Sequence, residues 1–211
     1  MHTVRTVRVA PERLRGWLDG FAERHGGFEA SLTSDEVTVA AADGARAVVA
    51  VPFLPWTPVG EAVDALVEHV SRERRIGAVL VRKGGYAVGR FAGLRLVESK
   101  VDTTYVQSRT KAGGWSQQRF ARRRDNQSAK AYGETADVAA RLLAPHAAEL
   151  EAVVGGGDKV AVAAVLADPR LTALRPLLQP RVHPVPDPRL RVLQAFPEQF
   201  RAVEITLNAL A

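Results

Sequence analysis

Residues 108–124 read Ser108-Arg109-Thr110-Lys111-Ala112-Gly113-Gly114-Trp115-Ser116-Gln117-Gln118-Arg119-Phe120-Ala121-Arg122-Arg123-Arg124. The chain changes period across this stretch. From Leu94 to about Ser108 the residues are strand-like, whereas Gln117 to Leu143 contains good helix formers. Ser116 is available as an N-cap for that helix. The adjacent glycines permit backbone angles and close approaches that side chains forbid. The stretch is therefore predicted to be a strand–loop–helix connection carrying two neutral amides among cations.

Its charge is as informative as its period. Arg109, Lys111, Arg119, Arg122, Arg123 and Arg124 occur without a single acidic residue between them. The whole chain has 29 Lys and Arg against 23 Asp and Glu, a formal net charge of +6. Setting those six cations aside leaves 23 against 23, so the excess sits on this one segment. A focused positive field of this kind is the footprint of a polyanion partner, with nucleic acid the first candidate. Trp115, between glycine and serine, is positioned to stack on a base, while Phe120 is expected in the core.

Working outward, Pro11–Arg24 is predicted to be an amphipathic helix with Leu14, Trp17, Leu18 and Phe21 on one face. Val37–Ala41 and Ala47–Val51 are strand-like around an Asp43-Gly44 turn. Phe53-Leu54-Pro55-Trp56-Thr57-Pro58 breaks regular structure and marks a boundary, giving an N-terminal elaboration over 1–55 and a main domain over 56–211. A helix is expected within Gly60–Arg75, then strands at Ile76–Arg82, Tyr86–Phe91 and from Leu94, joined by Lys83-Gly84-Gly85 and Ala92-Gly93 as an antiparallel meander. Val153–Asp158 looks like a strand end turning into a helix over Lys159–Leu166, and Val203–Leu207 like a closing strand. The class expected is α/β, or mixed α+β: a mixed sheet covered by helices.

Several chemistries are disfavoured. There is no cysteine, which removes disulfides and thiolate metal sites. The histidines His2, His25, His69, His146 and His183 are scattered singly, without the close spacing of a zinc site. Glu98 and Asp102 alone make a weak basis for a two-metal nuclease. No serine sits in a G-x-S-x-G elbow. No metal or other cofactor is expected. Gly155-Gly156-Gly157-Asp158 could cradle a phosphate, but Asp158 suits a helix N-cap better than an anion site. No apolar run approaches the roughly 20 residues of a membrane helix, so no membrane partner and a cytoplasmic location are expected.

A glutamine amide is not a strong base, but it can orient a water and donate to a developing oxyanion. Surrounding cations would hold phosphates. The residue types suit an activated ester delivered by RNA, where positioning supplies much of the rate. They equally allow a non-catalytic RNA- or ribosome-binding module.

The segment Ser108–Arg124 resembles the catalytic loop of the Vms-like release factor family, which is similar to the middle domain of eukaryotic and archaeal class-1 peptide release factors. Gly114-Trp115-Ser116-Gln117 fits the family's G-x-x-Q pattern, with Arg109 and Lys111 before it and basic residues after it. Gly156-Gly157-Asp158 and Val185–Pro188 extend the likeness more loosely. No ankyrin repeat or zinc finger of the larger eukaryotic relatives is seen, which points to the compact bacterial branch. The resemblance implies an RNase H-like mixed sheet, and a peptidyl-tRNA hydrolase that frees stalled nascent chains on the large ribosomal subunit in ribosome quality control. It implies catalytic roles for Gly113, Gly114, Ser116 and Gln117, with Gln118 an alternative if the loop is one residue longer. RNA contacts fall to Arg109, Lys111, Trp115, Arg119, Arg122, Arg123 and Arg124. Cleavage of the tRNA 3′ end instead of the ester stays open on these residues.

Overall fold

The computed structural model describes residues 4–103 and 116–211, with side chains in the helix that starts at Ser116 described from residue 129 onward. Two compact units make up the chain. One comprises the segment up to Arg72 together with Glu198–Ala211; the other is Glu73–Pro197.

The first unit is an antiparallel five-stranded sheet with two helices. Its strands are β1 (Arg5–Val9), β2 (Glu29–Leu32), β3 (Glu36–Ala40), β4 (Arg46–Ala50) and β10 (Val203–Leu207), in the order β1-β10-β4-β3-β2. Helix α1 (Pro11–His25) starts with proline at its first position and ends on Gly26 at φ 75, whose N–H bonds back to Ala22. It buries Leu14, Leu18 and Phe21, as its periodicity predicted. Helix α2 (Ala62–Ser71) adds Ala65, Leu66 and Val70 to the same core.

Two differences from the sequence reading are found here. The compact units part at Arg72, and not at residue 55. The reason is that α2 shares the core of α1 and the first sheet. The predicted closing strand also forms, but in this sheet: β10 lies between β1 and β4, with Val7 opposite Ile205 and Ile205 opposite Val49.

The second unit is a mixed sheet of β5 (Arg75–Arg82), β6 (Gly85–Ala92), β7 (Arg95–Thr103), β8 (Ala152–Gly157) and β9 (Leu178–His183), ordered β7-β6-β5-β8-β9. The first three strands form the expected antiparallel meander. β8 runs parallel to β5, and β9 parallel to β8. This is the mixed α/β, RNase H-like arrangement expected. Every interior residue of β5 from Ile76 to Val81 is buried, as a strand covered on both faces requires.

The α3 helix (Ser116–Leu142) covers one face together with α4 (Lys159–Leu166). The stripe expected from the sequence is the buried one: Ala131, Val138 and Leu142 are all buried, and Val138 and Leu142 pack with Val79, Val81, Tyr86 and Val88. Thr135 is fully buried in that stripe, and its hydroxyl donates to the Ala131 carbonyl at 2.7 Å, so no polar atom is stranded. On the other face, Leu80 and Phe196 both flank Gly156, and the short helix α5 (Leu190–Ala195) sets Leu193 against Gly89. Each of these leucine and phenylalanine burials contributes on the order of 1.5–3 kcal/mol.

Candidate functional site

The β6–β7 hairpin carries the chain to the basic segment. Gly85, the first residue of β6, pairs with Thr103, the last of β7, and the register runs down through Ala87 opposite Val101. The helix that receives the chain on the far side begins at Ser116. Ser116, the predicted cap, is the first described residue of that helix. Strand, intervening segment and helix therefore follow in the order the sequence implied.

Arg109, Lys111, Gly113, Gly114 and Trp115 lie outside the described residues. Ser116, Gln117, Gln118, Arg119, Phe120, Arg122, Arg123 and Arg124 occupy the first turns of α3, and their side chains lie outside the description. The helical backbone still separates the two glutamine positions. Successive residues turn by about 100°, so 117 and 118 fall on different stripes. Position 117 stands five turns before the buried Thr135, since 18 residues span about five turns of 3.6. Positions 119, 122 and 123 share a different stripe, one turn apart.

Support for this junction comes from the residues beneath it. Tyr86, opposite Asp102 in the hairpin register, is 5% exposed beneath α3. Burial pushes its hydroxyl above the usual phenol range, and the nearby Asp102 and Glu134 charges push the same way. It therefore stays neutral.

The alternative chemistries are accounted for residue by residue. Glu98 faces Arg90 at 3.6 Å and Asp102 faces Lys100 at 3.4 Å, each carboxylate occupied by a cation. His25 bonds Asp43, His69 meets the Pro52 carbonyl, His146 pairs with Glu149, and His183 lies edge-on to Phe196. His2 lies outside the described residues. At the glycine turn, the Asp158 carboxylate accepts from the N–H groups of Val160 and Ala161 at 2.8 and 3.2 Å. The N-terminus of α4 is capped by its own side chain, which leaves those donors taken.

One grouping was not evident from the sequence, where Lys83-Gly84-Gly85 read only as a turn and Val185–Pro188 only as part of the family likeness. In the structure these two segments meet: Arg82 Nη1 donates to the Val185 carbonyl at 2.6 Å. The signal available in sequence was the pairing of two glycine- or proline-rich turns at strand ends.

Residues 74–206 match the family described as the Actinobacteria/Chloroflexi VLRF1 release factor. The chain belongs to that family. The matched span covers the hairpin, the basic segment and α3. No curated protein matches the chain. Among solved structures, the archaeal translation termination factor aRF1 is similar at 16% identity over 94% of this chain and 66% of that one, with a TM-score of 0.41. A second structure, an archaeal protein, is similar at 13% identity over 90% of this chain and 62% of that one, with a TM-score of 0.37. The chain thus spans less than two thirds of the length of either structure. No helix among the described residues is long and apolar enough to cross a membrane.

Proposed function

We propose that the chain is a peptidyl-tRNA hydrolase that frees stalled nascent peptides on the large ribosomal subunit in the cytoplasm. The observation that carries this reading is membership of a release-factor family over a span that includes the Gly113-Gly114-Trp115-Ser116-Gln117 junction. In this reading the second unit performs the reaction. Arg109 and Lys111 hold acceptor-end phosphates, and Arg119, Arg122, Arg123 and Arg124 extend that hold along α3. Gly113 and Gly114 let the segment enter a narrow site beside the ester.

The Gln117 amide orients a water at the peptidyl carbonyl. The water oxygen bonds the carbonyl carbon, the bond to the ribose oxygen breaks, and a proton passes to that oxygen to leave a ribose hydroxyl and a free peptide acid. Positioning and amide donation to the developing oxyanion supply the rate, with no metal called upon.

The test is incubation of stalled peptidyl-tRNA–ribosome complexes with wild type and Gln117→Ala, followed by mapping of the tRNA 3′ end. An intact terminal adenosine with free peptide supports ester hydrolysis. A shortened 3′ end means RNA cleavage, and no product from wild type leaves an RNA-binding module.

A further inference from the structure

Strands β5, β8 and β9 run parallel and end at one edge of the second sheet, where β7 also hands the chain to the basic segment at Thr103. Three segments are tied together at this edge. The Asp158 N–H donates to the Val81 carbonyl at 2.9 Å, and Arg82 Nη1 donates to the Val185 carbonyl at 2.6 Å. A Cβ on Gly84 would stand 3.1 Å from the Asp187 carboxylate, which itself faces Arg82 at 3.9 Å. These contacts gather Arg82, Lys83, Lys159 and Arg189 along one rim, all exposed.

The rim is positive and its acids are occupied. Asp158 caps α4 and Asp187 lies against Arg82 and Gly84. Lys83, Lys159 and Arg189 make no ion pair among the described residues. Four cations from three segments, spread along an edge, suit a chain of repeated negative charges better than a single small anion.

Position favours one polyanion. Leu143, just past the C-terminal end of α3, packs where a Cβ on Gly77 would touch it, near the start of β5. The 27-residue helix is about 40 Å long and the eight-residue strand only about 26 Å. The first turns of α3, with Gln117, therefore reach past the rim.

We propose that Arg82, Lys83, Lys159 and Arg189 form a second RNA contact that holds the phosphate backbone of the tRNA acceptor arm while the Gln117 segment works at its 3′ end. This rests on the release reading above. Neighbouring phosphates of one strand span the rim, and the contact sets the approach of the acceptor end without touching the ester.

The test uses the full chain, an acceptor-stem RNA minihelix with a 3′ CCA tail, and purified large subunits. The variant is Lys83→Gln, Lys159→Gln and Arg189→Gln combined; its control is Arg5→Gln, Arg13→Gln and Arg24→Gln, which removes equal charge in the first unit. The rim variant should lower the slope of log affinity against log salt for the minihelix by about two units, at roughly 0.7–0.9 per phosphate contact, while the control leaves it near wild type. Lys83→Gln alone should remove about one unit, which keeps the test valid if the triple variant folds poorly. An unchanged slope, or an equal fall in the control, overturns the proposal. Loss of subunit binding with minihelix binding intact also overturns it, in favour of ribosomal RNA. A wild type that binds the minihelix through the rim yet releases no peptide defeats the release reading alone.

Discussion

Gly85 and Asp102 pack so closely that a side-chain carbon on Gly85 would collide with the Asp102 carbonyl oxygen, and it would stand 3.1 Å from the Thr103 Cα. The last residues of β7 are thereby clamped to the hairpin just before the basic segment begins. Gly85 also adopts φ 152, where side chains are rarely accommodated.

Gly85→Ala should therefore destabilise the chain by about 2 kcal/mol or more through steric overlap and backbone strain. Gly133→Ala is the matched contrast. That glycine is exposed within α3, with nothing within 4 Å of a built Cβ, so alanine should stabilise by about 0.5–1 kcal/mol. Urea midpoints of both variants check the pair; equal effects would contradict the packing described.

Asp158→Ala removes the acceptor for Val160 and Ala161 N–H and should cost about 1 kcal/mol, with Asp158→Asn milder because an amide oxygen can still cap. Thermal unfolding of the two variants distinguishes a cap from a phosphate cradle. A cradle freed of its carboxylate would gain stability from added phosphate.

Asp168 gives a pH signature. Hydrogen bonds from the Arg170 side chain, and then from its backbone N–H, bring its carboxyl down from 3.8 to about 2. A depressed folded value means the ionised form stabilises the fold. That contribution is fully present above 3.8 and is lost as pH falls through about 2. Arg170 also bridges to Asp137 on α3 at 2.7 Å, so the network ties α3 to the turn after α4. The stability gap between wild type and Asp168→Asn should shrink between those two pH values. A gap that stays constant across them would contradict the assignment.

Replacing Arg122, Arg123 and Arg124 together by Ala should weaken RNA or ribosome binding and flatten its salt dependence by about one unit per lost phosphate contact. An unchanged slope in a salt titration would show these arginines to be a solvated helix face.

Much of the second unit was legible because its residues carry strong local signals. Ile76–Arg82 is a continuous apolar run between charged ends, Lys83-Gly84-Gly85 marks the turn, and Asp158 announces α4 by the chemistry of its cap. The elements that escaped lack such signals. The β2 strand reads Glu-Ala-Ser-Leu and is exposed throughout, so no alternation betrays it. Pro180 within β9 argues against a strand, and only an edge position in the sheet admits it. For Val203–Leu207, alternation revealed a strand but not its partners, since Arg5 lies opposite Leu207 across nearly the whole chain. The amide and arginine candidates were drawn from spacing and charge, whereas the rim was not, because its cations come from three segments far apart in sequence.

The central claim is that one amide in the first turn of α3 positions the attacking water. It is tested most directly by single-turnover peptide release from stalled complexes at saturating protein, with Gln117→Ala, Gln118→Ala and the double variant beside wild type. Gln117→Ala should lower the release rate by on the order of 10²-fold or more with ribosome affinity retained, the scale of a lost oxyanion donor. Gln118→Ala should be milder, because its position lies about 100° around the helix. Full release by the double variant would contradict the claim.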